Sequence, residues 1–351
     1  MFVFTSKAKI LAISLTVIGF VMLVIGFNSP SSSSHDILDS HHEEGSHSEV
    51  THHEEGSHSE VTHHEEGSHS EVTHHEEAMH SEDSHHGGHH DHGAANRPWS
   101  AFLVNTIFFL GIGVGTLFFL AIQYAAQAGW SAGILRVMEA VALFVSIPLL
   151  GLLFLAITGS MHIHHIWHWM QEGIMDPSSP NYDSLIAGKE GYLNAPFFIV
   201  RTVAYIVIWG GAAYLLRRNS LKEDRLPSGQ SLFYTQRKLA AAFIVLYAVT
   251  SSTSAWDYIM SIDAHWFSTL FGWYTFAGMF VTALTVLNLL VIYLRIGGHL
   301  PWVNENHQHD LGKFMFAFSI FWTYLWFSQY MLIWYSNIPE ETPYYITRFG
   351  E

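Results

Sequence analysis

Asp257 is the residue whose position most demands a chemical explanation. It stands in the apolar stretch WDYIMSIDAHW, just after five consecutive hydroxyl residues at 250–254. A carboxylate in hydrocarbon is costly unless it is paired or hydrated, which makes such an acid a functional candidate by default. Together with Thr250, Ser251, Thr253 and Ser254 it offers the donors and acceptors that a proton or water path would need. The polar break that follows places Asp263 and His265 beside the same stretch. In membrane helices, however, serine and threonine most often pack or bond back to carbonyls, and that reading stands beside the first.

Two further ionisable positions fall inside apolar runs. Glu139 lies about 8 Å along its helix from the nearer end, at 1.5 Å per residue, and Arg136 three residues earlier shares its face. Gln123 and Tyr124 end the preceding run at similar depth. Arg201 sits six residues into one run and Asp257 near the end of the next. The two runs are antiparallel, so a pair between Arg201 and Asp257 would explain how both are tolerated. Each pair reads either as a clamp or as part of a proton path, with Glu139 the inner acceptor and Asp257 the outer one tuned by Arg201.

The stretch MHIHHIWHWM holds His162, His164, His165 and His168. On a continued helix His164 and His168, at i and i+4, would share a face, as a metal or haem site requires. A bis-histidine haem needs a second, facing helix, and no other histidine lies at mid-membrane depth. His164 and His168 are therefore weak metal candidates. The glycines of GIGVGT (Gly111, Gly113, Gly115) follow no strand and so form no nucleotide fingerprint. Gly111 and Gly115 instead make a GxxxG pair suited to close helix packing. Pro148 is expected to kink its helix.

The elements that must position these groups follow from composition. Of 351 residues 49% are hydrophobic and only 13% charged, far from a soluble domain. Apolar runs at 10–27, 101–126, 134–157, 195–216, 239–260, 269–294 and 314–335 are each about 18 to 26 residues long, enough to cross the bilayer core. The expected fold is an all-α polytopic membrane protein built from antiparallel transmembrane four-helix bundles. Residues 1–27 would be an anchor, too long for a signal-peptide core and without an A-x-A site after it. Residues 98–260 would form a first bundle, and 261–351 would begin a second.

The formal charge of −15 is not spread over the chain. Sixteen of the 30 acids lie between Asn28 and Arg97, against Arg97 alone, so the other 14 acids balance the other 14 of the 15 bases. Nothing in this pattern suggests nucleic-acid binding. The excess belongs to a linker, 28–97, in which HHEEGSHSEVT occurs three times unchanged (41–51, 52–62, 63–73) before a degenerate copy at 74–84. With no apolar face to bury it is expected to be a disordered tether, though His–Glu clusters can bind transition metals weakly. Lysine and arginine gather before the first run, after the fourth and around the loop between the sixth and seventh. By the positive-inside rule the N-terminus is then cytoplasmic and the histidine-rich loop faces outward. Cysteine is absent, which excludes disulfides, thiolate-ligated iron–sulfur clusters and a Cys-x-x-Cys-His haem attachment.

Three segments carry a resemblance: MHIHHIWHWM (161–170), WDYIMSIDAHWFSTLFGWYTFAGMF (256–280) and LGKFMFAFSIFWTYLWFSQYMLIWYSNIPEETPYY (311–345). They resemble the F family of integral-membrane subunits of alternative complex III (quinol:cytochrome c oxidoreductase), which are of polysulfide-reductase type. The likeness covers the chain from Arg97 onward and the first run, but not the His–Glu repeats. It implies a respiratory complex of the bacterial inner membrane that oxidises menaquinol and passes electrons to cytochrome c or a terminal oxidase. Iron–sulfur clusters and haem c would lie on partner subunits, and the quinol pocket in a sister membrane subunit. This chain would bind no cofactor and carry no redox chemistry alone. The family has more spans than the seven read here, so a partial sequence with an incomplete second bundle is expected. The alternatives are a purely structural subunit, or an independent ion or metal transporter suggested by the histidine loop.

Overall fold

The structure, a computed structural model, describes residues 90–227 and 231–349, with side chains from Asn96 onward, and scattered helical residues between Ile10 and Val21. The expected first span and the His–Glu repeats thus fall largely or wholly outside the described residues. Two units divide the chain, Met1–Ala95 and Asn96–Glu351. In the first, Ile10, Ile13, Val17, Ile18 and Val21 are helical and exposed.

The second unit is all-helical, with no strand among its described residues. Its long helices are α1 (His90–Ala125, of which Asn96–Ala125 belongs to this unit), α2 (Leu135–Ser160), α3 (Ala195–Glu223), α4 (Phe233–Tyr258), α5 (Phe271–Ile296) and α6 (Glu305–Ser336). Helices dominate because lipid leaves backbone polar groups no partner outside the segment itself. Five stretches, from Asn96–Ala125 through Phe271–Ile296, are long and apolar enough to span a membrane. The chain is an all-α polytopic membrane protein. The expected seventh run is helical too, within α6, but is not apolar enough to join the five. Its many Trp and Tyr residues, with Gln329, are the reason.

α1 is the central helix: 67% of its apolar window is buried, against 28–39% for the other four. Their outer faces expose Ile147, Val200, Val207, Val245 and Leu289, as lipid-facing surfaces do. α2 and α4 pack against α3, α5 against α4, and α6 against α5. The helices expected to open a second bundle therefore lie directly on the first, where Phe118 and Phe119 of α1 meet Phe280 of α5.

The glycines of α1 explain how it sits so deep. A Cβ on Gly115 would fall 2.7 Å from the Ala283 Cβ, and one on Gly111 2.9 Å from the Met279 Cγ. Gly113 points the other way, where its Cβ would meet the Val145 Cα at 2.9 Å. Val145 lies at a break in α2. Pro148, lacking an N–H, cannot bond the Phe144 carbonyl four residues back; the Ile147 N–H takes that carbonyl at 3.1 Å instead. The expected kink thus appears as an interruption at Phe144–Val145. Overpacking such a seam costs about 1–3 kcal/mol. Gly113→Ala and Gly115→Ala should each lower thermal stability in detergent by that amount, whereas Gly111→Ala, facing a flexible methionine, should cost less. Equal tolerance of all three would contradict the close approach.

Candidate functional site: two buried charge clusters

The structure brings Arg201 of α3 and Asp257 of α4 together. Arg201 Nε donates to both Asp257 oxygens, at 3.1 and 3.0 Å, with side chains 10% and 1% exposed. Tyr205, one turn on from Arg201, donates its hydroxyl to Asp257 Oδ2 at 2.7 Å. Arg201 Nη1 donates to the Tyr192 carbonyl at 3.0 Å. The guanidinium also lies over the Tyr192 and Phe197 rings, 4.0 and 4.3 Å from their centroids. Arg201 Nη2 is buried with no hydrogen-bond partner among the described residues. α3 reaches this geometry through a good start, with Asn194 capping the Phe197 N–H at 2.9 Å. A π-helical turn follows at Ile206–Gly210, and Tyr205 and Trp209 both bond side chains of α4.

The hydroxyl run does not form one continuous ladder. Thr250 accepts from Trp209 Nε1 at 2.9 Å and donates to the Leu246 carbonyl. Thr253 lies 2.9 Å from the Tyr205 hydroxyl oxygen. Ser251 and Ser254 bond back to the carbonyls of Ala248 and Ser251, and Ser252 packs on Gly272. Of the run, Thr250 and Thr253 thus join Asp257 in the polar seam with α3. Asp263 is exposed. His265 is half exposed, with Nε2 2.6 Å from Asp183 Oδ2. Burial alone would raise the Asp183 carboxyl; the N–H groups of Ile186 and Leu185, with His265, outweigh it and hold the pKa below the usual range.

The second cluster surrounds Glu139, whose side chain is fully buried. Arg217 Nη1 donates to Glu139 Oε2 at 2.8 Å, Arg136 Nη1 to the same oxygen at 3.3 Å, and the Tyr124 hydroxyl to Oε1 at 3.2 Å. Arg136 also reaches Asp224 Oδ1 at 2.5 Å and the Ser220 carbonyl at 3.2 Å. A cleft of about 550 Å³, lined by Gln123, Tyr124, Arg136, Glu139, Glu223 and Asp224 among others, opens onto this group. Arg217, in the charged end of α3, and Asp224, just past it, escape sequence reasoning because charged residues at a helix end read as an aqueous flank. Tyr205 carries a findable signal: it stands four residues after Arg201, on the same face.

Between the clusters α3 and α4 carry mostly buried apolar side chains. Ala213, Leu216, Ala240 and Phe243 are all buried and apolar, and Trp209 to Arg217 spans about 12 Å of helix.

The histidine expectation is corrected. The helix ends at Ser160, and His162 takes a left-handed φ of 56°, so His164 and His168 share no helix face. His168 instead begins the short turn His168–Met170. His164 is buried, with Nε2 donating to the Leu155 carbonyl at 3.1 Å while Nδ1 accepts from the Ile166 N–H at 3.5 Å. Burial lowers its pKa, which suits the neutral tautomer that both bonds require. Among the described residues no group of three or more His, Asp or Glu is placed to hold a metal.

No known family model matches this sequence, and no curated protein matches it significantly.

Proposed function

We propose that this chain is a cofactor-free membrane subunit of a quinol-oxidising respiratory complex, in which it anchors partner subunits and holds two charge clusters at opposite ends of its bundle. The resemblance of 161–170, 256–280 and 311–345 to the F family of alternative complex III membrane subunits supports the assignment. The complex would oxidise menaquinol and deliver electrons to cytochrome c or a terminal oxidase. Its iron–sulfur subunit, haem c subunits and sister quinol-binding subunit would be the partners. The distribution of lysine and arginine supports an orientation in the bacterial inner membrane with the Glu139 end cytoplasmic and the Asp257 end and histidine-rich loop periplasmic.

The observation that carries the role of the clusters is the buried Arg201–Asp257 pair with Tyr205, in which both carboxylate oxygens share the Arg201 Nε–H, separated from Glu139 by buried apolar side chains. That arrangement suits helix clamps. Proton conduction is the second reading, favoured by the cleft that reaches Glu139 from one end and by the Thr253–Tyr205–Asp257 contacts at the other. Asp257→Asn and Glu139→Gln in the native assembly separate the two. Unchanged quinol turnover and proton-to-electron stoichiometry support clamps; a fall in stoichiometry with turnover retained supports conduction. An independent transporter would move ions when the chain is reconstituted without partners.

A further inference from the structure

At the end of the bundle that holds Asp257, a cleft of about 300 Å³ is walled by Lys189, Tyr192, Trp256, Met260, Trp266 and Phe267, with Leu193, Ser261 and Ala264 between them. Its lining is aromatic and apolar apart from one cation. The Lys189 ammonium gives one bond to the Ala264 carbonyl, at 2.5 Å, and lies 5.7 Å from the Phe267 ring centroid. Two of its three protons remain for another acceptor. The indole nitrogens of Trp256 and Trp266 are covered from solvent and have no hydrogen-bond partner among the described residues. The Tyr192 hydroxyl is likewise covered and without a partner among the described residues, so Lys189 carries the cleft's only open charge-bearing donors.

We infer that this cleft binds a phospholipid with an anionic headgroup. The phosphate would meet Lys189, and the acyl chains the aromatic and methionine surface. Charge complementarity favours such a lipid over a zwitterionic one, and the apolar walls favour it over free phosphate. Indole and lysine side chains with one end apolar and one polar are suited to the depth at which lipid headgroups begin.

The test is native mass spectrometry of the purified full chain in detergent, titrated separately with dioleoyl phosphatidylglycerol, dioleoyl phosphatidylcholine and a short-chain naphthoquinone. The expected result is one phosphatidylglycerol retained about fivefold more tightly than phosphatidylcholine, as one basic residue near a lipid surface provides. Lys189→Gln should erase that preference and Lys189→Arg should keep it. Trp256→Phe should weaken both lipids while the preference survives. Equal retention of the two lipids by the wild-type chain overturns the inference. So does a Lys189→Gln profile that superimposes on wild type, or naphthoquinone held in place of lipid. If Lys189→Gln does not fold, by circular dichroism, the wild-type preference and the other two variants decide.

Discussion

Asp257→Ala is expected to destabilise the bundle by about 3–5 kcal/mol, the usual result of removing one partner from a buried ion pair. The cost comes less from the lost attraction than from what is left behind. Arg201 is 10% exposed, cannot give up its proton, and would retain only the Tyr192 carbonyl and three ring faces. Tyr205 would lose its shorter bond and keep only Thr253 as an acceptor. Replacing both charges, as Arg201→Leu with Asp257→Leu, should recover most of the loss, because a buried pair gives back in Coulomb energy little more than its desolvation takes. Thermal unfolding of the detergent-solubilised chain, followed by circular dichroism, measures the whole cycle. A single variant within about 1 kcal/mol of wild type, or a double variant worse than either single, would show that the pair does not act as a unit.

Glu139→Ala should cost about 2–3 kcal/mol, less than Asp257→Ala although Glu139 is just as buried. The difference lies in the partners. Arg136 is 41% exposed and keeps Asp224, and Arg217 is 28% exposed, so both arginines retain solvent access, Arg136 through the cleft it lines. At Asp257 no such relief is available. Ranking the two variants in one unfolding assay tests the comparison; Glu139→Ala as the costlier of the two would mean that solvent does not relieve the two arginines. The glutamine variant should fall between alanine and wild type, since its amide retains the shape and part of the hydrogen bonding.

How much of this is legible in one dimension varies with the range of the interaction. Long apolar runs locate the helices because a chain in lipid must satisfy its own backbone, which ties hydropathy to helix directly. The Arg201–Asp257 pair is legible too: depth along antiparallel spans is nearly a one-dimensional quantity, and it places both groups at the same level. The Arg136–Glu139 contact follows from helical spacing alone. Packing of Gly111 and Gly115 is expected from their spacing, though their partner helix is not.

The histidine stretch shows where such reasoning stops. Its i, i+4 spacing has meaning only while the helix continues, and the reversal after Ser160 removes it. The hydroxyl run likewise looks continuous in one dimension, yet successive helical residues point about 100° apart, so only part of it meets α3.

By itself the sequence determined a membrane-embedded, cysteine-free helical protein, the approximate limits of its spans, and which charges must be buried. Only the tertiary structure decided that Arg217 joins Arg136 on Glu139, that Tyr205 completes the Asp257 site, and that apolar side chains separate the two. The physical reason is that burial is set locally by hydropathy, while partnership depends on how each helix is rotated about its axis. That rotation is fixed by glycine contacts, a proline break and a π turn acting together.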